Sequence, residues 1–544
     1  MVLVVLLGIL ALGFGAVTSQ NTDGLYELNI VHFNDFHAHF DEVSPEGTAC
    51  NPSEAPCVGG FARLYTAVQQ SLEAEPESIV LNGGDTFQGT IWYNFLRWNV
   101  SQHFMNLLPH DAHVLGNHEF DHGIEGLLPY LERLNAPMLG ANVNSTFEPE
   151  IGQYIKNHVI ITRQGRRIGI IGVLLRVFSA PIGDLIIEDE VTAINREAAI
   201  LTEQGVDIII VLSHVGFDSD LNMAQRVSAD VDIIVGAHSH TFLYTGEPPS
   251  THTPFSDYPT VVTRTDGHRI PVVQASCYTR YLGNIKLFID DNGIVQDWEG
   301  QPIFLGTSII QDPQMVLELQ PWKESVDAVG KEVLGVSLVT LNRSWCRGRE
   351  CNMGSWACDG FLEELMSMAT GDEWNYAHVC LINSGGLRVQ IAPGNVTTEA
   401  LLMAMPFENY VQVYDLKGEY LLEALEFSVA VSVSSGSLDT GRMLQIGGMR
   451  VVYNISQPIG SRVASARIRC IDCDVPEYLP LDVNATYRVV SQDYIGEGGS
   501  GFTMLAEHRE NLIRMQVDYV LMQDHMRRQG TVVQDLDGRI QVVT

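Results

Sequence analysis

At 544 residues the chain exceeds what one compact core accommodates, so two or three domains are expected. Apolar residues make up 45% and recur along the whole length, which excludes a disordered protein and reads as an ordinary globular α/β or α+β chain. The formal charge of −34 disfavours nucleic acid and anionic membranes as partners, and any anionic ligand must find its positive charge locally.

Residues 1–16 are almost wholly apolar, and Val17, Thr18 and Ser19 follow. The run is too short for a typical spanning helix, so residues 1–20 read as a secretory signal peptide, although no Lys or Arg precedes the apolar core. No later stretch reads as a membrane span. Residues 534–544 are largely polar, so neither a GPI signal nor a stable membrane anchor is expected. Cysteines fall into close pairs, Cys50 with Cys57, Cys346 with Cys351 and Cys470 with Cys473. Cys358 with Cys380 is expected as a fourth, leaving Cys277 alone. Such pairs suit an oxidising compartment. A zinc knuckle at Cys470 and Cys473 is the alternative, but no second ligand pair lies nearby. Sequons at Asn99, Asn144, Asn342, Asn395, Asn454 and Asn484 agree with a secreted glycoprotein.

From residue 25 to about 310, short apolar runs alternate with loops and helical stretches. Strands are predicted at 28–33, 78–81, 113–115, 168–174, 207–212 and 232–235, with helices at 61–73 and 194–203. This is the rhythm of a layered α/β domain, assigned to residues 21–311. A connecting helix is expected at 312–334, with Met315, Leu317, Leu319, Val326 and Val329 as its apolar positions. A second domain, richer in hairpins, follows at 335–544.

Chemistry collects where five of the predicted strands end. These ends carry Asp35 and His37, Asp85, Asn117 with His118 and Asp121, His214, and His238 with His240. Ligands gather at the C-terminal edge of open α/β sheets. Taken singly, Asp35 or Asp85 could cap a helix, and His214 or His238 could be a core histidine. Together they supply what two neighbouring divalent ions need: a carboxylate to share, with His, Asp and Asn on either side. Such a pair can activate water and stabilise in-line displacement at phosphorus. Glu119, His39, His110 and His122 read as surface or packing residues. A P-loop is absent, and the frame Gly498-Gly499-Ser500-Gly501-Phe502 fails as a nucleophile elbow.

The runs HFNDFHAHF, NGGDTFQGT, GNHEFDHG, LSHVGFDSD and GAHSHTFLYTG closely resemble the calcineurin-like metallophosphatase domain of the 5′-nucleotidase family. That family includes 5′-nucleotidases and the secreted salivary apyrases of blood-feeding arthropods, which this chain resembles most. The resemblance implies a four-layer α/β/β/α sandwich followed by an α+β nucleotide-binding domain. One metal would be held by Asp35, His37, Asp85 and His240, and the other by Asp85, Asn117, His214 and His238. The ions would be Zn²⁺, or Ca²⁺ or Mg²⁺ in use. His118 would contact the phosphate, with Asp121 holding its imidazole.

In the second half, CRGREC, CDGFLEELM, INSGGLR, AMPFENY and YIGEGGSGF resemble the family's substrate-binding domain. Arg347 and Arg388 would bind the phosphate or ribose region, Asn383 would lie near the base, and Phe407 and Tyr494 would stack on it. Many relatives carry Asp where this chain has Ser500, and Phe is more usual where it has Tyr494. The resemblance therefore implies removal of terminal phosphate from extracellular ATP and ADP to give AMP, with AMP hydrolysis to adenosine as the alternative. A non-catalytic nucleotide- or receptor-binding protein on the same scaffold is the rival from another class. Oligomeric state is not legible.

Overall fold

The structure, a computed structural model, describes residues 24–544 apart from 46, 48–49, 51, 53–54, 177–181, 372, 432–437 and 439. The expected signal peptide lies outside the described residues. Among the described residues no helix is long and apolar enough to cross a membrane.

Two sheets form the centre of the first domain. In one, the strands Tyr26–Phe33, Ile79–Asn82 and Ala112–Val114 run parallel side by side, and Tyr281–Ile289 adds antiparallel to the first. In the other, Arg166–Leu174, Ile208–His214 and Ile233–Val235 run parallel. All six strands expected from sequence are present. Their inner faces meet in a core containing Ile30, Leu81 and Val114 from the first sheet and Ile170, Ile210 and Ile233 from the second. Strands covered on both faces read as continuous Val, Ile and Leu runs, which is why these were visible in sequence.

Helices cover both outer faces, completing four layers. Phe61–Ala74 buries Leu64, Ala67, Val68 and Ser71, the i, i+3, i+4, i+7 stripe of an amphipathic helix. Glu190–Glu203 covers the second sheet, and its N-cap Asp189 accepts from Thr192 N. The connecting helix Pro313–Gly330 starts at Asp312, whose carboxylate accepts from Gln314 N and Met315 N, with Pro313 in the first turn. Of its expected apolar positions, Leu319 and Val326 are buried and Met315 packs against the core. Leu317 is 65% exposed and Val329 39% exposed, so the buried stripe is narrower than expected.

In the second domain a five-stranded sheet has the spatial order Leu444–Gly447, Val379–Asn383, Thr486–Gln492, Tyr410–Lys417, Glu510–Val517. Val379–Asn383 runs parallel to Thr486–Gln492, and Tyr410–Lys417 runs antiparallel to it with Val411 opposite Gln492. Asn383, Tyr494 and Phe407 are thereby delivered to one edge.

Disulfides join Cys50–Cys57, Cys346–Cys351 and Cys470–Cys473, so the last pair is no zinc knuckle. The expected fourth bond is not formed: Cys358 and Cys380 are buried free thiols, as is Cys277. Cys358 Sγ donates to the Gln445 carbonyl instead, and burial together with the Cys358 thiol pushes Cys380 well up, keeping it protonated.

The inter-sheet core dominates stability. Ile210→Ala removes a fully buried side chain between two parallel neighbours, Ile170 and Ile233. It should cost about 2–5 kcal/mol in urea unfolding; a loss under about 1 kcal/mol would show that the core collapses onto the gap.

Candidate active site

The site is built from loops that grip one another. Asp35 N donates to the Gly84 carbonyl, His37 N to that of Asp85 and Ala38 N to that of Thr86, at 3.0, 2.9 and 3.0 Å. These three bonds lace the Asp35 loop to the Asp85 loop. Asp35, His37, Asp85, His238 and His240 all adopt left-handed φ, between 48° and 73°. Side chains other than glycine's seldom take this conformation, and it concentrates at functional sites. Gly84, at φ +84°, could carry no side chain: a Cβ there would lie 2.8 Å from Gly116 N and from the Val114 carbonyl.

The donor atoms converge in two groups, Asp35 with His37 and His240, and Asp85 with His214 and His238. Asp85 stands between them. Its Oδ2 lies 3.6 Å from His37 Nε2 and 3.1 Å from His214 Nε2, while Oδ1 accepts from His118 N at 2.9 Å. Asp35 Oδ1 lies 3.2 Å from His240 Nε2. Tautomers follow from the outer bonds. His37 Nδ1 donates to the Gln88 carbonyl and His214 Nδ1 to that of Gly83, both at 2.7 Å, leaving each Nε2 directed inward.

Two of the atoms here have no partner. Asn117 Oδ1 and His238 Nδ1 are buried without a hydrogen bond. Buried polar atoms are rarely left so, and a convergent set of oxygen and nitrogen lone pairs suits divalent cations. Charge points the same way. Burial disfavours the charged form of His214, yet Asp85 outweighs it and pushes its pKa up to about 10. Burial is the largest cause of the drop of His238 to about 4, and it also carries His37 and His240 well below the usual imidazole range, to the neutral form a metal requires.

His118 sits at the rim. Its Nδ1 is 2.7 Å from Asp121 Oδ2. Burial works against its charge, but Asp121 and Asp85 prevail and raise its pKa. Phe407, from the second domain, stacks on this imidazole at 5.1 Å and 11°. Arg388 lies 5.3 Å from the Phe407 ring centre and hydrogen-bonds Tyr278. The structure thus brings Arg388 and Phe407 to the donor cluster.

The other expected substrate residues make contacts within the second domain. The Arg347 carbonyl accepts from Thr440 N, and Asn383 Nδ2 donates to the Gly441 carbonyl, so both attach to one segment. Tyr494 makes no ring contact with Phe407; its hydroxyl meets Ser500 Oγ at 3.1 Å, and Ser500 itself has φ 54°.

Sequence reading missed four contributors. Asn34 donates to Asp35 Oδ2 at 2.5 Å and to the Ser276 carbonyl at 2.6 Å. Tyr278 stacks on His39 at 4.1 Å and holds Arg388. Glu408 bridges to the first domain. Glu119, expected as a surface or packing residue, is 1% exposed and accepts from Asp85 N, Thr86 N and Gly116 N at 3.0, 2.7 and 2.6 Å. Its place beside His118 was the available signal. Burial and the neighbouring Asp85 push its pKa to about 7. Glu119→Ala leaves three buried donors unpaired and should lower stability by about 3 kcal/mol or more in urea unfolding, with weakened divalent-metal binding. Wild-type stability and metal affinity in this variant would remove Glu119 from the assembly of the site.

Two family models match the chain: calcineurin-like phosphoesterase over residues 28–242, and the 5′-nucleotidase C-terminal domain over residues 333–507. An apyrase of Tabanus yao is 40% identical over 532 residues, spanning 96% of this chain and 95% of its own length. A 5′-nucleotidase of Rattus norvegicus is 38% identical over 526 residues, spanning 95% of this chain and 90% of its own. The crystal structure of a 5′-nucleotidase precursor from Thermus thermophilus superposes with a TM-score of 0.85 at 32% identity, covering 95% of this chain and all of that one. With both domain models matched in order and relatives this similar over nearly their full length, the chain belongs to the 5′-nucleotidase family.

Proposed function

We propose that the chain is a secreted, metal-dependent nucleotide phosphohydrolase of apyrase type, removing terminal phosphate from ATP and ADP. The first domain, residues 21–311, would carry the chemistry and the second, 335–544, the nucleotide. The observation that carries this reading is Asp85 standing between two groups of inward lone pairs, with the His118–Asp121 pair beside it. Asp35, His37, Asp85 and His240 would hold one divalent ion, and Asp85, Asn117, His214 and His238 the other. Bound there, the ions would supply Lewis-acid stabilisation of phosphoryl charge and a nucleophilic water at neutral pH.

The chain's own groups divide the remaining work. With Nδ1–H donated to Asp121, His118 in its protonated form has Nε2–H to donate to a phosphoryl oxygen, and Asp121 fixes the ring's orientation. Arg388 supplies a permanent positive charge close to the donors. The Phe407 ring offers a stacking face, and such stacking contributes about 1–3 kcal/mol per base. Secretion is supported by the three disulfides, which fit an oxidising compartment.

Preference for ATP and ADP over AMP rests on Ser500. Its hydroxyl is engaged by Tyr494 and carries no charge with which to grip a ribose. The relatives named 5′-nucleotidase keep AMP hydrolysis as the second reading.

Purified protein should release phosphate from ATP and ADP when Zn²⁺, Mg²⁺ or Ca²⁺ is present, release little from AMP, and stop when a chelator removes the metal. Dominant release from AMP would replace the apyrase reading with the second one; chelator-insensitive release would remove the metals from the proposal. His118→Ala should lower kcat about 10²–10³-fold with metal content unchanged. A variant that keeps full turnover would strip His118 of its role, and a wild-type chain without turnover would favour a binding protein.

A further inference from the structure

Glu408 follows Phe407 directly and crosses to the first domain. Arg97 Nη1 and Nη2 donate to its two carboxylate oxygens at 2.6 and 3.1 Å. His122 Nε2 lies 3.0 Å from Glu408 Oε2 and 2.6 Å from Arg97 Nη1. Protonated at Nε2 it donates to the carboxylate; unprotonated there it accepts from the guanidinium, so either form keeps the three joined. On the N-terminal side of Phe407 in the chain, Asn94 Nδ2 donates to the Pro406 carbonyl at 2.9 Å, and Gln88 Nε2 donates to the same oxygen. Phe407 is therefore pinned to the first domain through both of its chain neighbours.

The geometry departs from that of an incidental surface pair. Exposed ion pairs contribute little, but the Glu408 side chain is only 14% exposed and both of its oxygens are engaged by one guanidinium. Arg97 and Glu408 both hold left-handed φ, 59° and 54°, a conformation that persists in non-glycine residues where surroundings enforce it. The Phe407 ring itself touches His118 and Arg388. Its place over His118 thus depends on bonds made by Pro406 and Glu408.

We propose that Arg97, Glu408 and His122 form an interdomain strut that positions Phe407 over His118, making Glu408 and Arg97 positioning residues for nucleotide binding. This rests on the nucleotide reading above. Without the strut, the loop must be ordered when ligand binds, and that cost appears as lost affinity. The donors, His118 and Asp121 are untouched, so turnover of bound substrate is preserved.

The test uses the full chain with divalent metal present. KM and kcat are measured for ADP, and the Kd of a non-hydrolysable methylene-bridged ADP analogue is measured by calorimetry. Glu408→Gln and Arg97→Met should each raise KM and Kd about tenfold while kcat changes less than about twofold. In a Phe407→Leu background, Glu408→Gln should add nothing, because it acts through the ring. Unchanged KM and Kd overturn the strut, as does a fully additive double variant. A lowered Tm with unchanged KM likewise overturns it and leaves a purely structural bridge. Wild-type protein that binds the analogue without releasing phosphate removes the hydrolase reading while the Kd arm still tests the strut. Wild-type protein that does neither overturns both.

Discussion

Two buried aspartates, whose ion-pair partners are all imidazoles, are the constraint around which the first domain is arranged. Asp35 and Asp85 lie in one cluster with His37, His214 and His240. Burial raises the Asp35 carboxyl, with Asp85 adding to it, whereas Asp85 resists burial because His214 and His118 hold it well below the usual range. Like charges this close oppose each other's ionisation, and a cation between them removes the conflict. The same demand explains the backbone. Five of the seven candidate donors sit at left-handed φ, each at a cost of about 1–3 kcal/mol, because only that turn aims successive side chains at one point.

Strain of that kind persists only where the surroundings over-determine it. Here they do so through the backbone. The Asp35 and Asp85 loops exchange main-chain bonds, and the Glu119 carboxylate collects amides from the Asp85 and Gly116 loops. Beneath them lie two sheets whose inner faces are almost entirely aliphatic. A rigid floor and interlaced loops fix the donors more tightly than side-chain packing alone, since a loop held at both ends by backbone bonds has few alternative conformations.

This division of labour explains what was legible in the sequence. Strands buried on both faces appear as Val, Ile and Leu runs, and the candidate donors Asp35, Asp85, Asn117, His214, His238 and His240 follow them at once, so their collection at the strand ends was legible even though each alone reads as well as a cap or a core residue. Glu119 was not, because it accepts from amides up to 34 residues away and its chemistry is that of any carboxylate. The Arg97–Glu408 contact joins residues 311 apart and leaves no local trace. In the connecting helix, periodicity marked Leu317 as readily as Leu319, and only the packing of two domains on one side of the helix distinguishes them. Cys358 and Cys380 read as a pair in sequence, whereas the Cys358 thiol turns to the Gln445 carbonyl.

Electrostatics settles how a chain of charge −34 can draw in a polyphosphate. At physiological ionic strength the Debye length is about 8 Å, so acidic residues spread over the surface act weakly on a ligand already in the cleft. Groups inside it act through a lower dielectric and are felt more strongly. Arg388 is such a group: its charge reaches His37, His240 and His118, and Tyr278 holds it in place. Arg343 adds a second positive field at Tyr278. Global repulsion therefore slows encounter, a rate effect that salt relieves, while affinity is decided by the few positive groups at the mouth and by the ions the donors would hold.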